Sequence, residues 1–116
     1  TGANLGNGIR SLALSISHLP EGNDRVTAFT ALEARATGLT GVQLRKVIGS
    51  LALSIQDLPE NARLSAFMRL VGKTEGSTDA NVIKARHKLG WYLHHLPEGN
   101  DRDTASKALK ARPLPS

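Results

Sequence analysis

Few residues in this chain have types and spacings that could do chemistry. Gly72-Lys73-Thr74 has the ending of a phosphate-binding loop. Such a loop needs a glycine five residues before its second glycine, so that backbone amides can wrap the phosphates. Phe67 stands there, inside a helical pattern and with no strand before it. Gly2, Gly6 and Gly8 also lack a preceding strand, so they form no dinucleotide fingerprint and read as a frayed or linker-like terminus. His87 and His95 share a helical face with Trp91, and His94 is adjacent. Eight residues span about 12 Å along a helix, too far for two imidazoles to chelate one ion. The place of His95 is taken by His18 and Asp57 in related segments, which points to a helix end where an imidazolium meets the last carbonyls.

Catalysis needs a nucleophile beside a base, or two carboxylates across a cleft. The acids here gather in turns, as Glu21, Glu60 and Glu98 with Asp24 and Asp101. Groups that recur in every turn do not build one active site. Each is expected to pair with the nearby Arg25, Arg63 or Arg102, an exposed contact worth under ~1 kcal/mol. The sequence therefore reads as a non-enzyme, with no catalytic residue, no metal site, no cofactor and no small-molecule ligand.

The elements that hold these residues follow from a repeat. Leu19-Pro20-Glu21-Gly22-Asn23-Asp24-Arg25 recurs identically as Leu96-Pro97-Glu98-Gly99-Asn100-Asp101-Arg102, with a copy one residue shorter between them, Leu58-Pro59-Glu60-Asn61-Ala62-Arg63. The spacings are 39 and 38 residues. Upstream, Ser11–Ile16 repeats as Ser50–Ile55 and then as Lys88–Leu93. Downstream, Ala28, Phe29 and Leu32 match Ala66, Phe67 and Leu70, then Ala105, Ser106 and Leu109.

Each copy reads as two helices around a turn. Apolar residues recur at helical intervals: Ile9, Leu12, Ile16 and Leu19; Leu44, Val47, Ile48, Leu51, Ile55 and Leu58; Val82, Leu89, Leu93 and Leu96. No stretch alternates at period two for long enough to form a strand. Leu14, Leu53 and Trp91 fill a further apolar slot off this stripe, so the first helix of each copy is expected to bury two sides. Proline stops each first helix, and Pro-Glu-Gly suits a type I turn. Asn23 or Asp24, Asn61, and Asn100 or Asp101 are the expected caps of the second helices. Gly38 and Gly41 break the chain between copies, Thr40 with Gln43 spells a capping box, and Gly76-Ser77-Thr78-Asp79 opens the third copy. The predicted helices cover 5–18, 24–36, 42–57, 61–73, 80–95 and 102–111. The fold class is all-α: three tandem helix-turn-helix repeats, near 4–40, 41–78 and 79–113, stacked as a short solenoid or six-helix bundle within one domain.

Composition agrees. The 116 residues contain no cysteine and only four aromatics, whereas Leu and Ala number 17 and 14. Disulfide frameworks, zinc ribbons and thiol nucleophiles are excluded. No apolar run approaches the ~18 residues of a membrane span. The chain starts at Thr1 without a basic-then-apolar leader, which reads as a processed product or a piece of a longer protein. The third copy has Ser106 where the others have Phe, and Pro113 and Pro115 follow. A polar terminal cap and a boundary within a longer array both account for this, and the second is preferred.

The formal net charge is +5, with +1 on residues 1–58 and +4 on 59–116. Two classes of partner follow. The leading one is another protein, bound through one face of the stacked helices, with the Leu-Pro-Glu turns on accessible surface. The rival is nucleic acid or an anionic surface, bound by Arg69, Lys73, Lys84, Arg86, Lys88, Lys107 and Lys110 of the basic second half. Of the large amphipathic aromatics, Trp91 aligns with Leu14 and Leu53 and is expected in the core. Tyr92 aligns with Ser15 and Ser54 and is the exposed candidate for contact.

An aliphatic helix, Leu-x-x-Leu-Pro, an Arg after a short gap and then Ala-Phe-x-x-Leu resemble the helical repeats of bacterial type III effectors. The nearest likeness is to tandem repeats with a Ser-Lys-Trp-Pro turn. Ser17-His18-Leu19-Pro20 and Gln56-Asp57-Leu58-Pro59 occupy that turn here, with Leu for Trp in all three copies. The resemblance implies an array secreted into host cells that binds host proteins, and it implies no catalytic residue.

Overall fold

Proline and glycine set where the helices stop, and a computed structural model shows what lies between them. It describes the backbone of residues 2–75 and 77–110 and the side chains of 7–75 and 77–110. Pro113, Pro115, Gly76 and the outer limits of the first and third repeats lie outside the described side chains. Six α-helices and no strand occur among the described residues: α1 Gly2–Leu14, α2 Asn23–Arg35, α3 Gly41–Ser54, α4 Glu60–Gly72, α5 Ala80–Leu89 and α6 Asn100–Lys110. Gly2, Gly6 and Gly8 belong to α1 rather than to a frayed terminus.

Each first helix tightens into 3-10 geometry before its Leu-Pro, at Ile16–His18, Ile55–Asp57 and Gly90–His95. The following Leu is extended, at ψ 157°, 153° and 149°, as a residue before proline must be. The second helices start differently from the caps expected. Gly22 itself is the N-cap of α2, with φ 105°, and Gly99 before α6 has φ 101°. Glycine reaches this conformation without a Cβ penalty, so the chain enters the helix at Asn23 and needs no side-chain cap. The shorter second copy omits that glycine, and α4 starts at Glu60 directly behind Pro59 rather than behind Asn61. Thr40 is the N-cap of α3, yet its side chain makes no capping bond, and the Oε1 of Gln43 is buried without a partner. Asp79 does cap α5, accepting from the amides of Asn81 at 2.8 Å and Val82 at 3.3 Å.

The helices form two layers. In one, α3 packs between α1 and α5; in the other, α4 packs on α6. The result is a slab of 45 × 40 × 18 Å, its shortest side about two helix diameters. The core runs between the layers and through the repeat junctions. Ile9, Ile16, Val47, Ile48, Leu51, Ile55, Phe29, Phe67, Leu70 and Leu89 are all fully buried there. Leu12 and Leu19, placed on the buried stripe by periodicity, remain exposed in the first pair.

Polar contacts tie the pairs together. The hydroxyl of Ser54 donates to the carbonyl of Ala13 across the α1–α3 junction at 3.0 Å. Arg69 of α4 makes a forked contact to the buried carboxylate of Glu33 in α2, with Nε 2.8 Å from Oε2 and Nη2 2.9 Å from Oε1. Arg25 and Arg63 do not pair with the turn acids as expected. Arg25 donates to the carbonyls of Ser17, Leu19 and Asp57, and Arg63 to those of Gln56, Leu58 and His95. Arg102 donates to the carbonyls of His94 and Leu96. These carbonyls belong to the 3-10 ends and the extended leucines, where no helical amide reaches them, so a guanidinium serves them better than a surface carboxylate would serve it. Among the described residues only Glu98–Arg102 forms an ion pair within a turn, at 3.8 Å.

Candidate binding groove on the first helices

The apolar slot off the main stripe is the start of the site. Leu14 and Trp91 are each 64% exposed and Leu53 39%. They do not fill the core, which corrects the expected burial of Trp91 and of a second side of each first helix. Equivalent slots fall side by side, so the three residues form a row crossing α1, α3 and the 3-10 segment that continues α5. The row lines an open groove of about 760 Å³.

The rest of the groove comes from residues three, four, seven and eight positions before these slots. They are Arg10 on α1; Arg45, Lys46, Gly49 and Ser50 on α3; and Ile83, Lys84, His87 and Lys88 on α5, with Tyr92 beside Trp91. Helical geometry puts all of them on the face of the apolar row. Gly49 and Ser50 give the middle helix a low floor. At the slot of Gly49 the flanking helices carry Arg10 and His87, and a Cβ on Gly49 would meet nothing nearer than the Lys88 ammonium at 4.0 Å. Among the described residues, five permanent cations line the groove and no Asp or Glu does. None of the five takes part in an ion pair among the described residues. With no acid among the described lining residues, a carboxylate or phosphate brought into the groove would meet positive charge.

The basic residues expected to act together are divided by the fold. Lys84, Lys88 and Tyr92 meet in the groove. Arg69 is engaged with Glu33 and with the hydroxyl of Ser65. Arg86 donates to the hydroxyl of Thr74 at 3.0 Å and to the carbonyl of Ala108 at 2.8 Å. Lys73 follows the end of α4, and Lys107 and Lys110 are exposed on α6, in the other layer. The groove's other cations, Arg10, Arg45 and Lys46, come from the nominally balanced first half. Their signal was present in the sequence as a second helical face, but the comparison of halves averaged it away.

Tyr92 is half-buried against the core, its ring stacked on His95 with centroids 5.5 Å apart, while His94 lies 4.2 Å from His95. The 3-10 segment breaks the α-helical register, so His87 and Trp91 face the groove and His95 does not. Burial, then the neighbouring His94 and Arg63, hold His95 below the ordinary imidazole pKa, against an opposing effect from Asp57. It is the carbonyl of His95, receiving Arg63, that takes part in the helix end rather than an imidazolium. Among the described residues no three His, Asp or Glu side chains are grouped to hold a metal ion. None of the described helices is long and apolar enough to cross a membrane.

No family model, no curated protein and no solved structure matches this chain.

Proposed function

We propose that the chain is a protein-recognition module rather than an enzyme, and that its first-helix groove takes a helical, acidic segment of a partner protein. The observation that carries this is the exposed row Leu14, Leu53 and Trp91 set among five cations with no acid beside them among the described residues. An apolar row of this kind favours a partner with its own apolar side chains over a bare phosphate backbone. Cations without counter-charges select carboxylates around those side chains. Packed helices lie ~10 Å apart. Seven residues of a helix rise about 10.5 Å, so a partner helix crossing α1, α3 and the 3-10 continuation of α5 would meet the three slots with apolar residues at every seventh position. Trp91 at one end of the row is the anchor that truncation should hurt most. The likeness of the Leu-Pro turns to effector repeats supports a host protein as the partner and secretion as the route to it.

Trp91 is the sole tryptophan, so its emission reports on the groove directly. The probe is a synthetic helical peptide with Leu at every seventh position and Glu around it. Titration should shift the Trp91 emission to the blue, and Leu53→Asp should abolish the shift while the fold persists. The competing outcome is that the peptide has no effect and an oligonucleotide binds, with affinity falling steeply as salt rises. That result would replace the protein reading with nucleic-acid binding.

A further inference from the structure

The two edges of the array are unlike, and the outer flank of α1 is left open. Leu51 and Leu89 are 0% and 1% exposed because each packs on the preceding pair, whereas Leu12 in the same slot is 47% exposed. Leu58 and Leu96 are each 2% exposed, whereas Leu19 is 36% exposed. The polar contacts tell the same story. Asp57 and His95 each receive an arginine of the preceding pair on their carbonyls, both at 3.1 Å. The corresponding carbonyl is that of His18, and no side chain donates to it among the described residues. Ser54 is within reach of Ser50 in its own helix and also of the Ala13 carbonyl in the preceding pair, whereas Ser15 in that slot has among the described residues only the own-helix contact, to Ser11 at 3.3 Å.

The opposite edge carries polar groups at two slots that are apolar in the other pairs. The slot of the buried Ile9 and Ile48 holds Arg86 in the third pair, bonded to Thr74 and Ala108. The slot of the buried Phe29 and Phe67 holds Ser106. A second copy docking by this edge would bring an arginine and a serine to the apolar flank of α1, so it is a poor occupant.

We infer that the flank of α1 is an acceptor edge for one further helical repeat of this chain's own kind. That repeat would present an Ile-, Ala- and Phe-bearing face like those of the first two pairs. An arginine after its Leu-Pro turn would donate to the His18 carbonyl. Its helix would cover Leu12 and Leu19 as α1 covers Leu51 and Leu58. Stability in such arrays is a sum over units and junctions, so a unit that fits adds to it.

The test duplicates residues 2–40 in register ahead of Gly2, where Thr40 then precedes a glycine as it does at Gly41. Urea unfolding of the extended chain should be a single transition whose midpoint is higher by on the order of 1 M. Leu12→Asp should leave the midpoint of the original chain unchanged. In the extended chain the same substitution at the original Leu12 should remove the gain. An added unit that unfolds separately, or that leaves the midpoint where it was, overturns the inference. So does a dimer of the original chain that Leu12→Asp dissociates, because the edge would then belong to a second copy.

Discussion

Arg63, in the turn of the second pair, donates from Nη1 to the backbone carbonyl of His95 in the third pair at 3.1 Å. Its Nε and Nη2 hold the carbonyls of Leu58 and Gln56 at 2.8 and 2.9 Å. One half-buried guanidinium thus closes its own turn and fixes the next pair at once. Arg63→Met should destabilise the fold by about 1.5–3 kcal/mol in urea unfolding, the range for hydrogen bonds to a charged group. Arg63→Lys should recover little, because an ammonium cannot reproduce the planar fork. Full recovery by lysine would show that charge alone matters there.

The contact between Glu33 and Arg69 should behave as a coupled pair. Glu33 is buried and Arg69 partly exposed, so removing the arginine strands a carboxylate in the interior. Arg69→Met is expected to lose about 2 kcal/mol, more than Glu33→Gln, which leaves a neutral amide. A double-mutant cycle should return a coupling of roughly 1 kcal/mol or more. Additive effects would mean that the two side chains contribute independently.

Two leucines of α3 should answer unequally to truncation. Leu51 is fully buried and Leu53 lines the groove. Leu51→Ala should lower stability by about 2–5 kcal/mol, as a cavity in the core does. Leu53→Ala and Trp91→Ala should each stay within about 1 kcal/mol. Gly49→Ala should raise stability by up to about 1 kcal/mol, since a helical glycine with open space gains from a methyl group. Thermal melts of the four variants check the set.

Acid should weaken the fold through His95. Its folded pKa lies below the ordinary value, through burial first and then His94 and Arg63, with Asp57 opposing. The unfolded chain therefore binds the proton more readily. The contribution of His95 is complete above the unfolded pKa of about 6.5 and is lost as pH falls through the folded value. Urea midpoints measured from pH 7.5 down to pH 5 should fall for the native chain and fall less for His95→Asn. Equal slopes would remove His95 from the account.

The helix pairs were legible because apolar spacing and the Leu-Pro turns recur at 38 and 39 residues. The groove was not. An apolar residue at helical spacing reads the same whether its face meets a neighbouring helix or solvent, so the sequence pattern alone places Trp91 in the core. Tyr92, aligned with serines, was the reverse case: a large ring at a polar slot folds back on His95 and the core. The turn arginines were visible as a repeated residue, but their partners are backbone carbonyls, which every residue has and no letter of the sequence marks. Arg69 and Arg86 read as surface charge for a different reason: Glu33 lies 36 residues from Arg69, and Thr74 and Ala108 lie 12 and 22 residues from Arg86.

The row of Leu14, Leu53 and Trp91 takes one residue from each repeat. Its length is therefore set by the number of repeats, at about 10 Å for each first helix added. If the groove reads a partner helix as proposed, such a surface would work as a ruler. Gain or loss of one unit would change the span of partner read by about two helical turns, while the chemistry at every remaining graduation stays the same. Discrimination between long and short partners can then change by duplication alone, with no new side chain invented.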